Sequence, residues 1–139
     1  MKNVEFISHA ADVRIRITAD TMEELFEAGM EAIAVLLHEG RCRQEGVLRS
    51  VRETVAVESP DVTSLLVDFL SEVLTYSQNG KAVFCGVEFE ELTDVRLQAR
   101  IYGIPADEFL EDIKGVTCHE AGIMRNDRHQ LETLLVLSR

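Results

Sequence analysis

Hydrophobic and polar residues alternate from the start of the chain. Val13, Ile15 and Ile17 are separated by Arg14 and Arg16, the two-residue period of a strand with one buried face. Residues 4–9 and 11–18 read as two short strands or one bent strand. The period then lengthens. Met22, Leu25, Phe26, Gly29, Ile33, Leu36 and Leu37 follow helical spacing. Thr21 with Glu24 three residues later makes a capping box at the helix start, and Gly40 supplies a stop. A charged loop over 41–46 leads to a strand over 47–58, with Val51, Val55 and Val57 on one face. Ser59-Pro60-Asp61 turns the chain into a second helix, whose apolar stripe is Val62, Leu65, Leu66, Phe69, Leu70, Val73 and Leu74. Asn79-Gly80 ends it. Four strands follow over 82–91, 95–103, 113–124 and 129–138, with tight turns at Thr93-Asp94 and Asn126-Asp127. Gly103-Ile104-Pro105 breaks the pattern and opens an acidic connection through Glu108, Glu111 and Asp112.

Two amphipathic helices among hairpin-linked strands predict an α+β fold. The helices are expected to pack on one face of a largely antiparallel sheet. No linker, repeat or low-complexity stretch divides the 139 residues, so residues 1–139 read as a single domain.

Composition narrows the function classes. The net charge of −11 argues against direct, high-affinity binding to a phosphate backbone, and favours cations or a basic protein as partners. Arg41, Arg43, Arg49 and Arg52 are the one local basic cluster, and read mainly as solvated loop and edge-strand charges. No apolar run reaches the roughly 18 residues of a spanning helix. No leader-like start is seen, so the expectation is a cytoplasmic protein without a membrane association. The three cysteines, Cys42, Cys85 and Cys118, are far apart and odd in number. That pattern argues against a disulfide framework or a zinc ribbon, and Cys85 and Cys118 read as buried strand residues.

Candidate chemistry is sparse. There is no Gly-rich phosphate loop, no recognisable acid/base carboxylate pair, and no ligand spacing among His9, His38, His119 and His129. The exception is Asp12, a poor strand residue set beside His9 at the head of an apolar strand. It either caps a bend or offers its oxygens to a ligand. A catalytic cluster of His9, Asp12, Cys118 and His119 would require the fold to bring them into one cleft.

Four segments together resemble the archease family. His9-Ala10-Ala11-Asp12-Val13-Arg14-Ile15 is similar to that family's H-T-A-D-V-G-I, and Ile113 to His119 to its V-K-A-V-T-Y-H. Ser64 to Leu74 resembles its L-L-x-x-W-L-x-E-L-L helix, and Phe84, Val87 and Phe89 its following aromatic strand. The resemblance implies a non-catalytic partner of an RtcB-type RNA ligase, the enzyme that joins tRNA halves using GTP and Mn²⁺. Such a partner promotes guanylylation of the ligase and its multiple turnover. It implies a divalent cation, Ca²⁺ by its hard oxygen ligands, presented at one tip of the domain with Asp12 as first carboxylate. It further implies Lys114 as a contact to the ligase or its nucleotide, and Thr117, His119 and His9 as orienting or contacting residues.

The chain departs from that pattern at its end. Ser138 stands where the family has its second metal carboxylate, and Arg139 follows it. The α-carboxylate of Arg139 is the nearest substitute donor. Ala10 and Arg14 replace the family's Thr and Gly. The expectation is a weakened cation site on an intact fold. The alternative is a metal-free protein-binding or chaperone-like module.

Overall fold

The computed structural model describes residues 1–8, 12–44 and 46–139. Its strands are β1 (Asn3–Ser8), β2 (Asp12–Ala19), β3 (Val51–Glu58), β4 (Ala82–Leu92), β5 (Arg96–Pro105), β6 (Gly115–Cys118), β7 (Met124–Arg125) and β8 (Leu131–Ser138). Its helices are α1 (Met22–Leu37) and α2 (Val62–Gly80), with a 3-10 turn over Arg41–Arg43.

The strands form two antiparallel sheets rather than the single sheet expected. One runs β1-β2-β8-β6, with β7 also paired to β8; the other runs β3-β5-β4. Both helices touch both sheets: α1 packs on β2 and β4, and α2 on β3, β4 and β6. The two sheets therefore share one helical layer, and the α+β class holds.

Each helix begins where its cap dictates. The Thr21 hydroxyl accepts from the Glu24 amide and donates to the Glu24 carboxylate, both at 3.2 Å. The Asp61 carboxylate accepts from the Ser64 amide at 2.8 Å. These bonds satisfy amides that the first helical turn leaves without partners. At the far end of α2 the chain turns out through Lys81, in the left-handed region at φ 51°.

The core is held by aromatic and aliphatic interdigitation. Phe26 of α1, Phe69 of α2 and Phe89 of β4 form a triangle with centroids 5.8, 6.1 and 6.4 Å apart. The helices approach closely because residue 29 is glycine. A Cβ there would lie 2.9 Å from a Leu70 methyl.

In the first sheet Val13 faces Leu137, Ile15 faces Leu135 and Ile17 faces Thr133, and all six side chains are buried. A one-residue slip would turn that set to solvent, so burial fixes the register.

Four local expectations change. Residues 47–50 are not a strand, because β3 starts at Val51. Gly103 does not break β5, which runs on to Pro105. A Cβ at 103 would lie 2.5 Å from the Val83 carbonyl oxygen, so glycine is what allows the two strands to close there. The strand expected over 113–124 is interrupted. It pairs only from Gly115 to Cys118, and Gly122 at φ +67° turns the chain before β7. Lastly, Cys42 and Cys85 are joined by a disulfide with a Cα–Cα distance of 5.6 Å, against the expectation of unpaired cysteines. Odd number and wide spacing do not register a contact between a turn and a strand 43 residues apart. Cys118 alone is free, and it is half-buried rather than fully buried.

Candidate functional site

The register of the first sheet gathers its chemistry at one end. Asp12 opens β2 directly opposite Ser138, and Gly115 of β6 pairs with Ser138 from the other side. The Lys114 amide donates to the Ser138 carbonyl at 2.7 Å. Gln78, near the end of α2, donates to the Ile113 carbonyl at 2.5 Å and anchors the chain just before Lys114. Three strands and one helix thus converge on Asp12, Ser138, Arg139 and Lys114.

The charges there are partly spoken for. Asp12 and Arg14 lie two residues apart on the same face of β2. Arg14 Nε stands 3.6 Å from Asp12 Oδ1. Both atoms are buried and neither has a hydrogen-bond partner, so the guanidinium is the charge that balances the carboxylate. Arg139 Nε lies 3.5 Å from Glu111 Oε2. The Ser138 hydroxyl donates to the Gly115 carbonyl at 3.4 Å. Lys114 is exposed and has no carboxylate partner among the described residues.

These residues do not fit a resident divalent cation. Calcium takes six to eight oxygens at about 2.3–2.6 Å. Here the Asp12 carboxylate faces the Ser138 hydroxyl across the strands, with Arg14 already on Asp12 and Arg139 on Glu111. Among the described residues, no three His, Cys, Asp or Glu side chains gather as metal ligands.

The remaining predicted residues scatter. Thr117 sits midway along β6, where its hydroxyl donates to the Val136 carbonyl at 3.4 Å. His119 lies beyond the end of β6, four residues and roughly 13 Å from Gly115 at strand rise. Its amide donates to the Leu134 carbonyl at 2.8 Å and its Nδ1 accepts from the Ala121 amide at 3.3 Å. His119 is therefore a turn-forming residue remote from Asp12. Cys118 and His119 do not converge with Asp12 in a cleft, and His9 lies outside the described residues. Sequence reading missed Glu111 as the partner of Arg139. Its acidic neighbourhood gives no signal of that contact.

The arginine cluster disperses as well. Arg41 donates to the Pro105 carbonyl at 3.0 and 2.6 Å, Arg52 lies 5.9 Å over the Tyr102 ring, and Arg49 covers Gly86. No continuous basic stripe results. No helix in the described residues is long and apolar enough to cross a membrane.

Comparison with known proteins fits this picture. The model of the archease protein family matches residues 4–137. Protein archease of Pyrococcus abyssi is 34% identical over 130 residues, covering 88% of this chain and 89% of the relative. Protein archease of Methanosarcina acetivorans is 30% identical over 128 residues, covering 86% and 84%. The solution structure of Methanobacterium thermoautotrophicum protein 1598 superimposes with a TM-score of 0.74 at 24% identity, covering 98% of each chain. The crystal structure of an archease, possible chaperone, from Thermotoga maritima gives a TM-score of 0.61 at 17% identity, covering 96% and 94%.

Proposed function

The chain belongs to the archease family, and we propose that it is a non-catalytic activator of an RtcB-type RNA ligase, acting through the Asp12–Ser138–Lys114 end of its first sheet. The observation that carries this reading is the double register at Ser138, which brings β2 and β6 motif residues to one edge. Lys114 offers an exposed ammonium there, suited to a ligase carboxylate or a nucleotide phosphate. Asp12, held by Arg14, offers a fixed acceptor beside it. In this reading activation proceeds without a divalent cation resident at Asp12. The dispersed arginines and the charge of −11 favour a protein surface over RNA as the primary partner.

The test is a guanylylation assay of an RtcB-type ligase with labelled GTP, with and without this protein. Wild type should stimulate. Lys114→Ala and Asp12→Ala should each lose most of the stimulation while remaining folded by circular dichroism. Undiminished stimulation by both variants would overturn the site assignment. No stimulation by folded wild type would overturn the activator reading. It would favour the second one, a metal-free protein-binding module, which the Asp12–Arg14 pair also suits.

A further inference from the structure

The Cys42–Cys85 disulfide lies in the wall of a cavity of about 630 Å³. The cavity has an apolar side from Val4, Phe6 and Val35, and a mixed-charge lining from Arg43, Arg49, Glu31 and Glu39. Gly40, Cys42, Arg43 and Arg49 supply part of its wall. That segment is weakly built. Beyond the 3-10 turn at Arg41–Arg43, residues 46–50 carry no helix or strand before β3 begins at Val51, and Leu48 is 82% exposed. Among the described residues it is held by Arg41, whose side chain donates to the Pro105 carbonyl and whose amide donates to the His38 carbonyl, and by Val47 packed on the core, while Arg49 lies over Gly86. The covalent tie is the disulfide.

We propose that Cys42 and Cys85 are a redox modification site, a disulfide–dithiol couple that pins segment 39–50 to β4 and frees it when a thioredoxin-type dithiol reduces the bond. Both sulfurs face the cavity, but not equally. Cys85 is 9% exposed and Cys42 more so. The entering thiolate therefore attacks Cys42 Sγ, a mixed disulfide forms there, and Cys85 leaves as a thiolate. The Arg49 guanidinium lies over Gly86, the residue after Cys85, and favours the anionic leaving sulfur. The second thiol of the reductant then displaces Cys42. The reductant ends as a disulfide, and its two protons end on Cys42 and Cys85. Cys118 takes no part, because it sits on the other sheet, in β6. Reduction frees the lining around Cys42 and uncovers Val4 and Val35, which are half-buried in the oxidised chain.

The test compares oxidised protein with protein reduced by thioredoxin, its reductase and NADPH, using brief trypsin digestion and hydrogen exchange. Cleavage after Arg41, Arg43 and Arg49 should accelerate at least tenfold on reduction, with two new thiols found by alkylation and mass spectrometry. β2 and β8 should remain the best-protected strands while the amides flanking Cys42 lose their protection, which separates local release from unfolding. A Cys118→Ser chain should respond identically. A Cys42→Ser/Cys85→Ser chain should be cleaved at the reduced rate under both conditions. Equal cleavage of oxidised and reduced wild type would overturn the proposal. So would resistance of the bond to thioredoxin, or loss of protection in β8 to the level seen around Cys42.

Discussion

Replacing Ser138 by Asp and Arg14 by Gln should convert the sheet end into a calcium site, and the cost without metal can be worked from the register. Residues 12 and 138 are direct cross-strand partners, so their Cβ atoms lie about 5 Å apart. Two carboxylates at that spacing repel by about 3 kcal/mol at an effective dielectric of 20. The Asp12 side chain is 26% exposed and Ser138 is exposed, so screening leaves about 1 kcal/mol. Losing the Arg14 pair removes up to another 1 kcal/mol. With an unfolding entropy of about 2.1 cal/mol/K per residue over 139 residues, a loss of about 2 kcal/mol lowers Tm by about 7 °C. Calcium at a hundred times its Kd returns about 2.7 kcal/mol, or about 9 °C. The assay is thermal unfolding by circular dichroism with EDTA or with calcium, supported by calorimetric titration. Wild type should show no calcium shift, and the double variant should show both the loss and the recovery. A wild-type Tm that rises with calcium and ceases to do so in Asp12→Ala would refute the reasoning. So would a double variant indifferent to both charge and metal.

Three further outcomes test other parts of the molecule. Opening the Cys42–Cys85 bond, which spans 43 residues, should cost about 4 kcal/mol on the chain-entropy account, seen as a Tm lower by about 14 °C in reductant and in the double serine variant; a shift under 3 °C would contradict it. Gly29→Ala should gain helix propensity but press its methyl into Leu70, for a net loss of about 1 kcal/mol; chemical denaturation showing a gain would mean that Leu70 moves aside freely. Burial pushes the Cys118 thiol up, against a smaller opposing bond from Thr133, so at pH 8 it should alkylate several-fold more slowly than a model thiol; equal rates by mass spectrometry would count against that burial.

Local patterns were legible because they depend on neighbours in the chain. Thr21 with Glu24 announces a cap, and the stripe from Val62 to Leu74 announces a helix. The two sheets were not legible. Whether eight strands close into one sheet or two depends on how Phe26, Phe69 and Phe89 pack, and such contacts have no period. The disulfide was hidden for the same reason. At the site, Asp12, Lys114 and Ser138 were found through motif resemblance, and the register brings them together. The same motif contains His119, and a rigid β6 carries that residue away from Asp12. A motif contiguous in sequence is stretched along a strand, so Lys114 meets β8 at Ser138 and His119 meets it at Leu134.

The electrostatics of the sheet end bear on what partner it can meet. Within a chain of net charge −11, this end sets the carboxylates of Asp12 and Glu111 and the α-carboxylate of Arg139 against three cationic side chains, Arg14, Lys114 and Arg139. It is locally neutral on a strongly acidic molecule. A neutral spot does not concentrate divalent cations, since that needs an excess of carboxylate charge. It does lower the repulsion that an acidic protein would feel toward an anionic surface or a nucleotide phosphate. Lys114 is the member of that set without a described carboxylate partner, so it is free to make a charge-assisted bond across an interface. Substituting Lys114 by Glu should therefore weaken partner association more than Lys114→Ala does. The difference should shrink as salt is raised from 50 to 500 mM, because an exposed interfacial charge is screened over about a Debye length. A salt-independent gap between the two variants would place Lys114 in a desolvated contact instead.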